Sequence, residues 1–163
     1  MNNNISNNQS HLYTNKFFKN HLAKSLSSAE LIVPEILHYI QPKSVIDFGC
    51  GIGTFLSVFY KTGITDILGI DGDYVDRNNL LIDKKYFLPR DLTQPMIIDK
   101  KYDLALSLEV AEHLPESKAN VFITSLCSAS PFVVFSAAVP HQGGTNHINE
   151  QWPPYWINKF KEH

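Results

Sequence analysis

One short stretch decides the fold of this chain of 163 residues: Asp47-Phe48-Gly49-Cys50-Gly51-Ile52-Gly53. The mostly apolar residues 44–48 predict a buried strand that leads into the glycines, and residues 53–60 predict the beginning of a helix with an apolar face. Glycines at such a junction allow backbone angles that other residues avoid, and they let a ligand approach free N–H groups closely. The stretch therefore predicts a ligand-binding turn between a strand and a helix.

The glycine spacing distinguishes two classes of ligand. Dinucleotide-binding turns have the pattern G-x-G-x-x-G, whereas here the third glycine comes one residue early, at Gly53 instead of Thr54. The Asp47 carboxylate would repel a diphosphate, while it would attract the ammonium group of an amino acid. The turn therefore favours a nucleoside that carries an amino acid, and it disfavours a nicotinamide-dependent oxidoreductase.

The motifs that follow the turn resemble those of the class I S-adenosylmethionine-dependent methyltransferases, over about residues 29–160. Asp71 ends a second predicted strand 18 residues after Gly53, a spacing that suits one helix and a return strand. Asp91 matches the acidic position that faces the adenine amino group in this family, and residues 102–114 resemble the family's fourth strand and the turn beyond it.

The resemblance implies that S-adenosylmethionine is the cofactor, with the glycine turn and Asp47 at its methionine part and Asp71 at its ribose hydroxyls. The residues implied to contact it are Asp47, Gly49, Cys50, Gly51, Gly53, Asp71, Gly72, Asp91, Leu92 and Leu108. We expect Cys50 to contribute a backbone contact instead of a reactive thiol.

The composition is that of a globular protein with one domain. Apolar residues make up 44% of the chain and charged residues 18%, and the net charge of -2 provides no overall attraction to nucleic acid. No stretch approaches the roughly 20 apolar residues of a membrane span, and the N-terminus lacks the layout of a secretion signal. These features predict a cytoplasmic protein that binds neither a membrane nor nucleic acid.

Two regions differ in composition. Residues 1–26 are predicted to be a disordered or loosely docked segment, because the first ten contain five asparagines, two serines and a glutamine and cannot bury much surface. Residues 27–163 are predicted to form the methyltransferase domain. Ser27 and Glu30 form a capping box that predicts the beginning of its first helix.

Three further strands are predicted near residues 86–88, 102–106 and 131–139. Their alternation with helices predicts a doubly wound α/β fold with a mostly parallel sheet and helices on both faces. The family's sheet usually has seven strands, and the 24 residues after Val139 are too few for the last two, which we expect to be missing. The fifth strand would then be an exposed edge that pairs with another chain, as in a homodimer, or is covered by the last helix.

His113 is the first candidate for a catalytic residue. Methyl transfer from a sulfonium needs mainly alignment, because the cofactor supplies the reactivity, but an acceptor hydroxyl or amine also has to lose a proton. His113 follows the fourth predicted strand and has an imidazole suited to this role. A role in packing or positioning is the alternative.

A second interpretation assigns Glu109, Glu112, His113 and a later histidine, His147 or His141, to a divalent metal site. Small-RNA 3′-terminal 2′-O-methyltransferases have a comparable Glu-x-x-Glu-His pattern with a later histidine. Carboxylate and imidazole ligands suit magnesium or manganese only loosely. A metal-dependent RNA 2′-O-methyltransferase is therefore the alternative enzyme, and a catalytically inactive cofactor-binding subunit is the alternative outside enzymes.

The loop after the fifth predicted strand is expected to bind the methyl acceptor. Ligands of open parallel sheets bind at the carboxyl ends of the strands, and His147, Glu150 and Trp152 lie just beyond one such end. The alternative is that the aromatic residues of this loop pack the last helix onto the sheet. Without an extended basic surface, a small molecule or a glycan precursor is the expected acceptor.

Overall fold

The computed structural model describes the backbone from Asn15 to His163 and the side chains from Lys24 onward. Along this part of the chain, the helices and strands follow one another as α1 (Asn15–Tyr39), β1 (Ser44–Phe48), α2 (Thr54–Lys61), β2 (Asp66–Asp71), β3 (Phe87–Pro89), β4 (Leu104–Leu108), α3 (Ala119–Ala129), β5 (Val133–Ser136) and α4 (Pro153–Phe160).

The strands form one parallel sheet in the order β3-β2-β1-β4-β5. The chain runs outward from β1 to β3, returns to the other side of β1, and continues outward through β4 to β5. Such a reversal opens a crevice at the carboxyl ends of β1 and β4, where open α/β sheets bind ligands. The predicted α/β fold is confirmed, and within residues 15–163 the sheet lacks a sixth and a seventh strand.

Two hydrophobic clusters lie on opposite faces of the sheet. On one face α1 and α2 contribute buried residues such as Val33 and Phe59, and on the other α3 and α4 contribute Phe122 and Trp156. The rings of Phe48 and Phe122 meet edge to face, with their centroids 6.4 Å apart. Because both faces are covered, the strands can be buried throughout, as β1 is.

The connections on either side of β3 differ from the expected alternation, since neither contains an α-helix. Between β2 and β3, short polar side chains bind the local backbone and each other: Asp76 accepts hydrogen bonds from the N–H of Asn78 and from the side chain of Asn79. Such contacts compete with helical hydrogen bonds. This crossover is therefore a structured loop.

Some predicted boundaries are wrong. Helix α1 begins at Asn15, so the predicted capping box at Ser27 and the division at residue 26 both fall inside it. Strand β4 lies two residues later than predicted, because the N–H of Tyr102 donates outside the sheet, to the carbonyl oxygen of Ala129. Strand β5 is shorter than predicted. The predicted disorder of residues 1–10 lies outside the described residues.

Helix α4 packs on one face of the edge strand β5. The ring of Phe135 lies 5.3 Å from that of Trp156 and 5.2 Å from that of Phe160, measured between centroids. Among the described strands, β5 pairs only with β4. The last helix thus packs on a face of β5, and whether the edge of this strand is covered or pairs with another chain stays a prediction.

From Asn15 onward, no helix combines the length and the apolar character needed to cross a membrane.

Candidate functional site

The carboxyl ends of β1 and β2 meet at the glycine turn. The N–H groups of Gly49 and Cys50 donate to the carbonyl oxygen of Ile70, at 2.8 and 3.2 Å. The next N–H group, of Gly51, donates to Oδ2 of Asp71 at 2.7 Å. Three successive backbone donors thus attach the turn to the end of β2, and the last of them fixes the orientation of the Asp71 carboxylate.

Asp71 is 4% exposed, and its carboxylate accepts three hydrogen bonds. Besides Gly51 on Oδ2, the N–H of Gly72 donates to Oδ1 at 2.6 Å, and the Tyr74 hydroxyl donates to the same atom at 2.5 Å. Donors of this kind stabilise an ionised carboxylate. The charge is thus held in a fixed position beside the glycine turn.

Asp47, at the carboxyl end of β1, is also 4% exposed. Burial, and secondarily the charge of Asp71, raise the pKa of Asp47 to about 8. At neutral pH the protonated form therefore predominates in the protein alone. A cation placed between these two carboxylates would favour the ionised form of Asp47, so this pair is suited to bind an ammonium group.

The three glycines of the turn have positive φ angles but different surroundings. A Cβ atom on Gly49, at φ 85°, would lie 2.3 Å from Cγ2 of Val110, and one on Gly53, at φ 82°, would lie 2.8 Å from Cγ1 of Ile82. A Cβ atom on Gly51, at φ 54°, would have no neighbour within 4 Å. The backbone at Gly51 therefore borders open space, from which a ligand could approach it.

The thiol of Cys50 faces away from that space. Cys50 is 7% exposed, and a Cβ atom on Gly69 in β2 would lie only 2.7 Å from its Sγ. Burial raises the pKa of the Cys50 thiol well above its usual value, and the nearby charges of Asp47 and Asp71 raise it further. A neutral thiol packed in the core is not placed to act as a nucleophile.

The predicted adenine contacts follow β3. The N–H of Arg90 donates to the carbonyl oxygen of Asp71 at 2.7 Å, which places the next residue, Asp91, near the same edge of the sheet. Both the N–H and the hydroxyl of Thr93 donate to Oδ1 of Asp91 and lower its pKa. Leu92 is buried. Asp91 is therefore an exposed, ionised acceptor beside an apolar residue.

The carboxyl end of β4 has a strained backbone. Glu109 has a φ of 58°, in the left-handed region that residues other than glycine rarely adopt. Its N–H donates to the carbonyl oxygen of Ser136, and its carboxylate accepts hydrogen bonds from the hydroxyl of Ser136 at 2.7 Å and the side chain of Gln142 at 3.4 Å. Contacts with the end of β5 and the loop beyond it thus hold Glu109 in place. Strain of this kind often occurs at functional sites.

Glu112 has no exposed surface, yet neither carboxylate oxygen accepts a hydrogen bond of ordinary geometry. Burial raises its pKa, although the N–H groups of Glu112 itself and of Ala138 lie near enough to oppose that effect. A buried carboxylate without donors is costly as an ion. It is expected to hold a proton or to bind a cation.

Two histidines lie beside this carboxylate. Ligand atoms of Glu112, His113 and His147 all lie within 4.8 Å of one another, and the two imidazole rings meet edge to face at 4.9 Å. Nδ1 of His113 faces the carbonyl oxygen of Asn146 at 3.2 Å, and Nδ1 of His147 faces Oε1 of Glu150 at 2.9 Å. In both rings Nε2 is the nitrogen left for a proton, a metal or a substrate.

Only part of the predicted metal set comes together. Glu109 lies four residues before His113, a spacing that would place both on one face of a helix, but this segment forms only a 3-10 turn, Ala111–His113. Glu109 binds Ser136 and Gln142 instead. His141 contributes its backbone N–H to Glu150, at 3.0 Å. Among the residues from Lys24 onward, the group that could hold a metal therefore consists of Glu112, His113 and His147.

An apolar groove of about 410 Å³ runs between β5 and α4 and reaches Ser136. Phe135, Trp156 and Phe160 contribute to its wall. Trp156 is 4% exposed and belongs to the core, whereas Trp152 is 58% exposed. Of the loop residues expected to bind an acceptor, His147 lies in the cluster beside Glu112, Glu150 contacts the His147 ring, and Trp152 lies at the surface.

Sequence reasoning missed two residues of the site, Tyr74 and Ser136. Both bind a predicted site residue through a hydroxyl group. For Tyr74, the available signal was its position three residues after Asp71, which ends a predicted strand. The second contact joins residues 27 positions apart, and no local pattern predicts it.

Comparisons with known proteins agree with this geometry. Residues 22–153 match a family model described as "Methyltransferase domain". The methyltransferase domain of bacterial CtHen1-C is 25% identical over 84% of this chain and 84% of that chain, with a TM-score of 0.64. A structure of the same domain from CtHen1-CN is 23% identical over 80% and 81% of the two chains, with a TM-score of 0.62. A SAM dependent methyltransferase from Archaeoglobus fulgidus is 19% identical over 82% and 67%, with a TM-score of 0.59. No curated protein matches the chain.

Proposed function

Because the chain belongs to the methyltransferase domain family, we propose that it transfers a methyl group from S-adenosylmethionine to an oxygen or nitrogen atom of a small molecule or a glycan precursor. The observation that carries the cofactor assignment is the buried Asp71 carboxylate, held by the N–H groups of Gly51 and Gly72 beside the open space at Gly51. When bound, this cofactor supplies an activated methyl group on a sulfonium sulfur.

The residues at the crevice fit each part of this cofactor. Asp71 would accept hydrogen bonds from the ribose hydroxyls. Once the Asp47 carboxyl group has lost its proton, it would pair with the ammonium of the methionine part. Gly49, Gly51 and Gly53 let the backbone approach the cofactor, with the backbone of Cys50 between them. Asp91 and Leu92 serve the adenine, by hydrogen bonding and by apolar contact. Gly72 and Leu108 complete the implied set.

His113 is the residue we assign to proton removal from the acceptor. Its Nδ1 faces a carbonyl oxygen, which can only accept a hydrogen bond, so the proton of the neutral ring belongs on Nδ1 and leaves Nε2 free to receive one. Desolvation lowers the pKa of His113, and the ring is therefore neutral at pH 7. A neutral imidazole is the form that a general base requires.

The acceptor class rests on the shape and charge of the molecule. The groove between β5 and α4 is lined mostly by apolar side chains and borders Ser136, which binds Glu109 at the end of β4. The net charge of -2 provides no overall attraction to a nucleic acid backbone. A compact acceptor with an apolar part matches this groove, whereas His147, Glu150 and Trp152, the expected acceptor contacts, lie in the loop before α4 and do not line it.

A metal-dependent RNA 2′-O-methyltransferase is the second candidate, and the cluster of Glu112, His113 and His147 favours it. One buried carboxylate oxygen and two imidazole nitrogens within 4.8 Å suit a divalent cation such as Mn²⁺. A cation would also balance the charge of Glu112, which accepts no hydrogen bond of ordinary geometry. In this alternative His113 is a ligand instead of a base.

An assay with a labelled methyl donor tests both candidates. The protein is incubated with labelled S-adenosylmethionine and either a metabolite extract or short RNA, with and without EDTA. Label in a small molecule, unchanged by EDTA, supports the first candidate, and label in RNA that EDTA abolishes supports the second. Calorimetry with S-adenosylhomocysteine and NAD tests the cofactor itself, since binding of NAD alone would contradict the assignment.

A further inference from the structure

Tyr74 makes a contact that the cofactor assignment does not explain. Its hydroxyl donates to Oδ1 of Asp71 at 2.5 Å, three residues back along the chain. The phenol ring lies over Gly72, since a Cβ atom there would fall 2.2 Å from Cε1 of Tyr74. The ring therefore covers Gly72, and the hydroxyl binds the Asp71 carboxylate, to which we assign the binding of the ribose.

The acceptor capacity of Asp71 shows that this contact conflicts with ribose binding. A carboxylate offers about four lone-pair positions, two on each oxygen. On Oδ1 both are filled, by the N–H of Gly72 and by the hydroxyl of Tyr74, and on Oδ2 one is filled, by the N–H of Gly51. One position remains, whereas the two hydroxyls of a ribose need two.

Among the three donors, Tyr74 is the one that can leave. The N–H groups of Gly51 and Gly72 are backbone groups fixed by the turn and by the end of β2. Tyr74 is 63% exposed, and it stands in the loop between β2 and β3. An exposed side chain changes rotamer without disturbing a core, so its hydroxyl can be exchanged for another donor.

We propose that the Tyr74 hydroxyl occupies the position of one ribose hydroxyl of S-adenosylmethionine and is expelled when the cofactor binds. This inference rests on the proposed role of Asp71 in holding the ribose. In the protein alone, the contact satisfies the buried carboxylate. On binding, the ribose replaces one hydroxyl donor with another, and the affinity for the cofactor is lower by the strength of the displaced hydrogen bond.

The test is the affinity of the Tyr74→Phe variant for S-adenosylhomocysteine, measured by calorimetry. Phenylalanine keeps the ring and removes only the competing hydroxyl, so we expect binding about three- to tenfold tighter than that of the wild type. Tyr39→Phe is the matched control, because Tyr39 is 80% exposed at the end of α1, and it should leave the affinity unchanged. Equal or weaker binding by Tyr74→Phe would overturn the competition.

A double-mutant cycle shows whether the gain acts through Asp71. The rise in melting temperature that millimolar S-adenosylhomocysteine causes is measured for Asp71→Ala with and without Tyr74→Phe. In this background Tyr74→Phe should no longer increase that rise. A gain that persists without Asp71 would contradict the inference. If neither the wild type nor Tyr74→Phe binds the ligand, the cofactor proposal itself fails, whereas equal binding by both refutes only the competition.

Discussion

Asp71 and Glu112 are both buried at the same edge of the sheet, but these two acidic centres are built differently. Asp71, at the end of β2, accepts three hydrogen bonds, whereas Glu112, beyond the end of β4, accepts none of ordinary geometry. The first is a finished anion site whose charge the protein itself stabilises. The second has no protein donor of ordinary geometry, so a proton or a bound cation would have to balance its charge.

This difference follows from how each site is assembled. The donors to Asp71 come from the glycine turn and from residues directly after the strand, so one strand-turn-helix unit nearly completes it. The surroundings of Glu112 come from the loop after β5, whose N–H groups at Ile148 and Asn149 bind the backbone oxygen of Glu112 at 2.9 and 3.0 Å. The proposed cofactor side, around Asp71, is therefore built mainly by local contacts, and the proposed acceptor side, around Glu112, depends on the placement of a distant loop.

The largest expected effect comes from Gly49→Ala, which disturbs the contact of the glycine turn with Val110, beyond the end of β4. The new Cβ atom would overlap Val110 and also force alanine into a left-handed backbone. We expect the free energy of unfolding to fall by about 2–6 kcal/mol, measured by urea denaturation. Gly63→Ala is the control, since Gly63 has a φ of 98° but no neighbour within 4 Å, and should lose only about 1–3 kcal/mol. Equal losses would show that Val110 does not restrict the turn.

Asp71→Ala should have the next largest effect, on the cofactor side alone. Removal of a charged acceptor should weaken binding of S-adenosylhomocysteine by about 1.5–3 kcal/mol, or roughly 10- to 150-fold, by calorimetry. Asp73→Ala is the matched control, because the Asp73 side chain is 82% exposed and pairs with Arg77. An unchanged dissociation constant for a folded Asp71→Ala protein would mean that another group holds the ribose.

Glu112→Gln tests the acceptor side. The pKa of Glu112 is raised in the folded protein, so the wild type loses stability as the pH rises through that pKa, and glutamine removes this dependence. At pH 8 we expect Glu112→Gln to unfold with a free energy about 1–3 kcal/mol higher. If the metal interpretation holds, Mn²⁺ should raise the melting temperature of the wild type and not that of the variant.

Glu109→Gln serves as the control for that experiment. Its carboxylate accepts hydrogen bonds from Ser136 and Gln142, so glutamine should not stabilise the protein there. A loss of stability in Glu112→Gln at pH 8 would show that the Glu112 carboxylate is satisfied in solution, and the contrast between the two acidic centres would then disappear.

The last of these expected effects is the pH dependence that Asp47 confers. Because its pKa is raised to about 8, the carboxyl group must lose a proton to pair with the ammonium of the cofactor. Below pH 8 the affinity for S-adenosylhomocysteine should therefore rise with pH, by up to about tenfold per unit. In Asp47→Asn the curve should be flat. 5′-Methylthioadenosine, which lacks the ammonium, is the control ligand, and an equally steep curve for it would contradict the pairing.

The cofactor side and most of the fold could be predicted because their signals are local. The predicted bounds of β1 and β2 agree with the structure, since a buried apolar run ends in a glycine turn in one case and in Asp71 in the other. Helix α1 was predicted too short, because a capping box also occurs inside long helices when packing holds them together. The absence of a helix between β2 and β3 could have been inferred from the Asp and Asn residues clustered in this connection.

The acceptor side could be predicted only in part. The sequence indicated Glu112, His113 and His147 as possible neighbours, but it gave Glu109 the same role. A helix from Glu109 to His113 would have aligned both residues, and the left-handed backbone at Glu109 prevents it. The contact of Ser136 with Glu109 depends on the pairing of β4 with β5, and such long-range contacts leave no pattern in a single sequence.

The loop between β2 and β3 has a consequence for how this protein can evolve. A helix in that place would commit its residues to a periodic pattern and a packing partner, whereas this segment keeps Asp73 and Tyr74 at the surface, held by local bonds. Insertions and substitutions there would leave the strands intact. Under the proposed function, natural selection can thus adjust how tightly the nucleoside is bound by changing a few surface residues, while the buried core stays unchanged.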